Sequence, residues 1–408
     1  MATTTAPAPV MQIVHISDLH FHVGPAPQND HLVRQAIALL SGASSGLGQW
    51  LLNYWEDGRA GHALDALVAF ECFLTGNAMP NEPSGTPPYV SGVSALHCAT
   101  IPTWLVDTGD LSSVGDDVSV RDEMAWVDRM AKLMGAKKTI RLYGNHDAWP
   151  KKFPLLASSN EVARHRTQFR NTHFARSWPQ NPQSIPLGAT GNRVDLYCLN
   201  SVIHDRNFNT RARGQIRLDP HWGGIGAIDQ LPELQGLVAR RSRLPGKAFR
   251  ILLSHHPIHY PPPIRTWVMS LRRANHVARQ LINQGGSTGP LAHLVLSGHT
   301  HELYPGHGAL PPNAATPHHP PLGLHQLQLI VGSLSKAIRG VPPHVSSAHN
   351  VDAEPHQCQV LRFFEVPGSP NSVELRRAVI GRNNGTGRFK LMPLRARRGA
   401  WESTFLNF

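Results

Sequence analysis

The chain has 408 residues, 41% of them hydrophobic, enough for a sizeable core in one large domain or a few smaller ones. Its formal net charge is +12, with 39 Lys and Arg against 27 Asp and Glu, which favours anionic partners but identifies neither a fold nor a substrate. Four scattered cysteines, Cys72, Cys98, Cys198 and Cys358, form no C-x-x-C pair, which argues against a disulfide scaffold or a thiolate metal site. No basic stretch followed by an apolar one opens the chain, and no apolar run approaches the ~18 residues that span a bilayer. A soluble cytoplasmic protein with reduced thiols and no membrane partner is expected.

In chain order, MQIVHIS reads as a buried strand that ends at Asp18. Asp30 to Leu40 carries an N-cap and a helical stripe, and His62 to Leu74 carries another, with Leu64, Leu67, Val68 and Phe73 or Leu74 on one face. TWLVDTGD is a second strand, ending at Asp110. Arg121 to Met134 is a connecting helix with Met124, Val127, Met130 and Leu133 or Met134 inward. KTIRLYGNHD ends at Asn145 and His146, FRILLSHHP at His255, and LAHLVLSGHTH at His299. Helices over Gly226 to Arg241 and Trp267 to Asn283 complete the set. Five strands that each stop in a polar, Gly-containing turn suggest one open sheet with its ligands on the carboxyl edge. VDLYCLNS, HQLQLIVGS, QCQVLRFFEV and SVELRRAVI are short and partly alternating, which suits a second, more antiparallel sheet. The fold class that follows is α/β, an αββα sandwich of two mixed sheets flanked by helices.

The strand ends hold five polar clusters: Asp18 and His20 in VHISDLHFH, Asp110 in VDTGDLSS, Asn145 and His146 in LYGNHDAW, His255 in LLSHHPI, and His299 and His301 in LSGHTHEL. Each supplies oxygen or imidazole nitrogen and none a thiolate. Mixed imidazole and carboxylate donors suit Mn, Fe or Zn better than Ca or Mg. Singly, D-x-H or GD is a weak signal, often an accidental pair or an Asx-turn. Their ordered combination is not.

The order D-x-H, G-D, G-N-H-D, H, G-H-T-H resembles the calcineurin-like metallophosphoesterases, and all five blocks are present. The compact pattern is similar to the bacterial cyclic-nucleotide phosphodiesterase branch of that family. The resemblance implies the αββα fold and two divalent ions, Asp18, His20, Asp110 and His301 holding one, and Asp110, Asn145, His255 and His299 the other. Asp110 is the expected bridge. It implies that a water between two cations loses its proton near neutral pH and attacks phosphorus. His146 is then not a ligand but the general acid that protonates the leaving group, with Asp147 orienting it or capping the next turn. His256, beside the ligand His255, faces the substrate or supports the ligand shell, and Asn145 also reaches the phosphate.

The resemblance spans about residues 11 to 385 as one catalytic domain, with 23 to 100 as an enlarged insertion or cap and 386 to 408 as a basic, aromatic tail that docks back or stays free. The loop HDRNFNTRARGQIR contributes Arg206 and Arg213 as candidate phosphate contacts, and equally reads as a solvated basic loop. The Pro- and His-rich segment 304 to 323 reads as a surface loop, since no ligand spacing is evident. The expected activity is hydrolysis of a phosphodiester, including cyclic nucleotides, or a monoester. A metal-dependent nuclease, helped by the basic charge, is one alternative; a non-catalytic binding module on the same fold is another, and it predicts lost ligands.

Overall fold

The computed structural model describes residues 8–21, 64–80, 82, 96, 101–151, 157–174, 183–188, 191–202, 214–215, 218–219, 228–258, 271–272, 274–283, 289–300, 327–334, 356–383, 386–391 and 402–407. The helix expected over 30–40, most of the 23–100 insertion, the segment 304–323 and His301, Arg206 and Arg213 lie outside these residues.

Two mixed sheets face each other. The first contains β1 (Met11–Ile16), β2 (Thr103–Asp107) and β3 (Ala136–Arg141). The second contains β4 (Gln183–Leu187), β5 (Asn192–Leu199), β6 (Ala248–Ser254), β7 (Leu294–Ser297) and β8 (Leu327–Ile330). The chain then returns to the first sheet with β9 (Gln357–Glu365), β10 (Ser372–Arg382), β11 (Phe389–Leu391) and β12 (Glu402–Asn407). The first sheet runs β11-β10-β9-β1-β2-β3, with β12 also paired to β10; the second runs β8-β7-β6-β5-β4. In the first, β1, β2 and β3 are parallel and β9 turns the direction; in the second, β5 to β8 are parallel and β4 runs against them.

This arrangement corrects one expectation. The five motif-bearing strands do not share a sheet: β1, β2 and β3 lie in one, β6 and β7 in the other. Nor do the later strands form a sheet of their own, since β5 and β8 join β6 and β7 while β9 and β10 join β1. The physical reason is burial on both faces. β1, β2 and β7 are buried at every position, so no alternation in their sequences marks which neighbour they take. β3, with exposed Lys137 and Lys138, is the exception and forms the sheet edge.

Alternation does decide which layer each side chain enters. Ile13 of β1 packs into the central core with Val106, Leu361 and Phe363 of its own sheet and Leu196, Ile251, Leu253 and Leu296 of the other. Its neighbours Val14 and Ile16 point the opposite way, onto α1 (Leu64–Thr75) and α2 (Asp117–Leu133) through Leu67, Phe70, Trp126 and Met130. The second sheet turns Tyr197, Leu252 and Val295 outward onto the helices placed after β5 and β6 in sequence. Those residues meet Leu231, Leu234 and Val238 of one helix (Gln230–Arg241) and Val277, Ala278 and Leu281 of another (Ala274–Asn283). With α3 (Ser159–Phe169) preceding both in the chain, these two are α4 and α5. Helices, sheet, sheet and helices make the αββα sandwich.

Helix starts follow their caps. α2 begins earlier than its apolar stripe suggests because Asp116 accepts the Ser119 N–H at 2.7 Å and Asp117 sits in the first turn. α4 and α5 begin later than expected, at Gln230 and Ala274. The C-terminal segment supplies β11 and β12, both antiparallel to β10.

Candidate metal centre

All five clusters follow the carboxyl ends of parallel strands, and the two sheets contribute from opposite sides. Where D-x-H follows β1, Asp18 and His20 both take positive φ, 55° and 50°, with Leu19 between them. Two left-handed residues curl the chain so that side chains two apart face the same way, which an extended strand end would not combine with a sharp turn. Asp110 (φ 56°) and His299 (φ 69°) share that conformation. Among the described residues only one other non-glycine, Lys151, does so. Backbone strain is therefore concentrated at this rim, where the surrounding structure must hold it in place.

The glycines explain how the loops approach. Gly109 (φ 105°) lies so close to the next loop that a Cβ there would stand 2.7 Å from Gly144 N. A Cβ on Gly144 would strike Asp110 Oδ1 and lie 2.5 Å from the Asp110 amide nitrogen; one on Gly298 would strike Ser17 Oγ and Asp18 Oδ2. Each glycine in G-D, G-N and G-H is thus the contact surface for a different cluster. Gly144→Ala should cost about 1–3 kcal/mol by overpacking and displace Asp110. A melting curve and a divalent-ion titration check it; wild-type values for both would disprove the close approach.

Hydrogen bonds knit the loops together. Asp18 N–H donates to Gly109 O at 2.8 Å, His20 N–H to Asp110 O at 2.9 Å and Phe21 N–H to Leu111 O at 2.9 Å. His146 N–H donates to Asp110 Oδ1 at 2.9 Å, and His299 N–H to Asp18 Oδ2 at 2.8 Å, which joins the second sheet to the first. The Asp147 carboxylate accepts from the amides of Gly144 (2.8 Å), Leu111 (3.1 Å) and Ser112 (2.8 Å) and from the Ser112 hydroxyl (3.3 Å). It clamps the GNHD loop to the GD loop.

The nitrogens and oxygens left facing inward converge. His255 Nε2 lies 3.0 Å from Asn145 Oδ1, 3.1 Å from His299 Nδ1 and 3.4 Å from Asp110 Oδ2. His20 Nε2 lies 3.7 Å from the same Asp110 Oδ2 and 4.0 Å from Asp18 Oδ1. Three sets of potential ligand atoms lie within 4.8 Å of one another: His20, Asp110 and His146; Asp18, Asp110 and His255; and His255, His256 and His299. Asp110 belongs to two of the three, and all these side chains are buried. The electrostatics suit a cation. Burial works against the charge on Asp110, but His255 and His146 hold it well below the usual carboxylate range. Burial likewise opposes a charged His255, yet Asp110 outweighs it and raises the imidazole to about 9. A site whose own charges favour a proton at that position also favours a divalent ion, and the two compete.

The donor set fits such ions. Asp110 Oδ2 and Asn145 Nδ2 are buried and have no hydrogen-bond partner among the described residues, so an anionic acceptor and an amide donor stand ready inside the cluster. His255 donates from Nδ1 to Thr108 O at 2.8 Å, which leaves Nε2 to face the other ligand atoms.

A calcineurin-like phosphoesterase model matches residues 11–303, from the first residue of β1 through the last polar cluster. The chain belongs to the calcineurin-like phosphoesterase family. A search of curated proteins found no match. Membership in this phosphoesterase family makes the chain a member of a metal-dependent group that acts on phosphoesters, and its His and Asp clusters are where metals can bind.

Around the phosphoesterase's convergent atoms, His146 occupies a different setting. It is 8% exposed, against 0–3% for Asp18, His20, Asp110, Asn145, His255 and His299, so it is the most exposed of these described side chains. Its ring stacks 4.0 Å from Trp149 at 30° and meets His20 edge-on at 4.7 Å. His146 Nδ1 is 3.0 Å from Ser113 O; a carbonyl can only accept, so Nδ1 carries a proton. The orienting group of His146 is therefore the Ser113 carbonyl, while Asp147 is occupied with backbone amides. His256 packs 4.2 Å from the His299 ring, with Nδ1 2.9 Å from Ser201 Oγ.

Several supporting residues escaped sequence reasoning. Ser113 and Thr108 act through backbone carbonyls, which leave no compositional trace. Ser333 Oγ donates to Asp18 O at 2.6 Å from beyond the matched segment. Glu123, an acidic residue in the α2 stripe, is fully buried and feels the charge of the buried Asp107, whose Oδ1 accepts Gly109 N–H at 3.1 Å. The basic stretch ARRSRLPGK ends where β6 begins, at the opposite end of that strand from His255 and hence far from the cluster.

Proposed function

We propose that this phosphoesterase is a dinuclear metal-dependent hydrolase of phosphodiesters, with monoesters as secondary substrates and cyclic nucleotides as the substrate class to examine first. The observation that carries this reading is Asp110, whose Oδ2 lies within reach of both His20 Nε2, at 3.7 Å, and His255 Nε2, at 3.4 Å. In this reading Asp18, His20, Asp110 and His301 hold one ion, and Asp110, Asn145, His255 and His299 hold the other, with Mn, Fe or Zn suited to the donors. Two such ions would supply an activated water and neutralise charge on the phosphoryl oxygens.

The chain's own residues do the rest. In its doubly protonated form His146 keeps Nδ1–H on the Ser113 carbonyl and gives its Nε2 proton to the leaving oxygen, returning to the neutral Nδ1–H ring. Trp149 packs against that ring to hold the plane. Asn145 Nδ2 donates to a phosphoryl oxygen, and His256, steadied by Ser201, contacts the substrate. Arg206 and Arg213 are assigned to the substrate's remaining charge. Free thiols at Cys72, Cys198 and Cys358 support a reducing, cytoplasmic setting. No helix among the described residues is long and apolar enough to cross a membrane.

A panel of cyclic nucleotides, bis-p-nitrophenyl phosphate, monoesters and single- and double-stranded nucleic acid, run with Mn, Fe and Zn, tests the reading. Fastest turnover on diesters is expected. Two bound ions with no turnover of any ester would favour a binding module, and preferential cleavage of nucleic acid would favour a nuclease. His146→Ala should keep its ions but lose about 10²–10⁴-fold in rate, most for poor leaving groups. Loss of both ions in that variant would remove His146 from the role of acid.

A further inference from the structure

A line of buried hydrogen bonds leads away from the cluster into the antiparallel half of the first sheet. Arg377 on β10 donates from Nε to Gln359 Oε1 on β9 at 2.8 Å. That bond fixes the amide: its oxygen faces the arginine, so its NH2 faces His15 on β1, and Gln359 Nε2 donates to His15 Nδ1 at 2.7 Å. An imidazole nitrogen that accepts carries no proton, so the His15 proton lies on Nε2, which donates to Thr108 Oγ1 at 3.0 Å. Thr108 is held again through its amide, which donates to Ile16 O at 3.1 Å. Its carbonyl then receives the Nδ1 proton of His255 from the opposite sheet at 2.8 Å. Arg377, Gln359, His15, Thr108 and His255 are all buried.

We propose that His15 is a positioning residue: as the Nε2–H tautomer it locks Thr108, and through the Thr108 carbonyl it fixes the ring of His255 for metal binding. The inference rests on the dinuclear reading of the cluster. Its logic is directional. Only one arrangement of protons satisfies every member, since Arg377 can only donate and the Thr108 carbonyl can only accept. Each donor points toward its neighbour on the metal side until the two senses meet at Thr108. Burial and the nearby Arg377 charge hold His15 down at about 3, against a smaller opposing pull from Asp18, so it stays neutral under working conditions. A protonated His15 would set a donor against the Gln359 amide; a neutral Nδ1–H tautomer would do the same and would reverse the bond to Thr108, whose hydroxyl would then have to donate.

The test uses the full chain, freed of metal and titrated with Mn²⁺ by calorimetry. Wild type is expected to bind two ions. Thr108→Val, which removes the hydroxyl at nearly constant shape, should weaken one of them about 10–100-fold while the other is retained, and Thr108→Ser should restore it. A general loss of structure would weaken both, so the selective effect separates positioning from folding. Should Thr108→Val melt below the assay temperature, Gln359→Met, three links from His255, reads the same selective loss. In parallel, ring ¹⁵N spectra of the metal-free protein should show His15 as Nε2–H. Fewer than two ions on wild type counts against the dinuclear reading alone. Equal affinity of wild type and Thr108→Val for whatever ions bind, or a His15 proton on Nδ1, overturns the proposal.

Discussion

Asparagine in place of Asp110 is expected to leave the fold intact and to lower diester turnover by on the order of 10³-fold or more. The asparagine carbonyl can still accept the His146 N–H, which lies 2.9 Å from Asp110 Oδ1, so the GD and GNHD loops stay joined. What disappears is the charged Oδ2, 3.4 Å from His255 Nε2 and 3.7 Å from His20 Nε2. In the dinuclear centre we propose, an amide in that place would offer one neutral oxygen where two cations would need a shared anion. The same change removes the main influence that raises His255 to about 9, leaving burial to depress it. Calorimetry should therefore show weakened binding of both ions, with fewer protons released per ion at neutral pH. Retention of two tight ions would displace Asp110 from the bridging position, whatever happened to activity.

The second large effect concerns stability. Glu123 is held well above the ordinary carboxyl range, first by burial and then by the charge of Asp107, while Arg141 pulls the other way and Asp147 adds to the rise. Asp107 is raised to about 6 by burial, moderated by its bonds to Glu123 and Gly109. The folded protein thus keeps a proton on Glu123 that the unfolded chain releases above about pH 4.5. When the native state binds more protons, stability falls as pH rises, on the order of 1 kcal/mol per pH unit, until the folded group itself titrates. Glu123→Gln carries the same shape and a permanent donor to Asp107, and has no proton to lose. Melting temperatures of the two proteins should be similar near pH 5 and diverge steadily toward pH 8, the variant being the more stable. Parallel curves would mean that Glu123 is ionised in the folded state. The variant should retain activity, because Glu123 supports Gly109 through Asp107 and touches no ligand.

The sequence made some of this legible and hid the rest for identifiable reasons. The motif strands were readable because an apolar run that stops at Asp18, Asp110, Asn145, His255 or His299 is a local signal. Their division between two sheets was not, because Met11 pairs with Phe363 and Leu294 with both Ile251 and Leu327, and long-range register leaves no mark on a doubly buried strand. The α2 stripe was found through Val127 and Met130, but Trp126 and Glu123 also point inward. A glutamate reads as solvated unless its proton-sharing partner is known, and Asp107 lies 16 positions away on a strand. The glycines of G-D, G-N and G-H were visible as letters, yet their purpose, making room for one another's loops, appeared only in three dimensions.

The position of β1 has a consequence for how the chain comes into being. β1, the earliest described strand along the chain, sits between β2 and β9, so one of its two edges waits for Gln357–Glu365. Until then the D-x-H loop at its end has half its sheet, and the His15 ring lacks Gln359. Pairing across such a separation is slow and leaves an exposed strand edge in the meantime. A chain ending at residue 303, where the family match stops, carries every polar cluster and yet should emerge aggregation-prone, with β9 missing from beside β1.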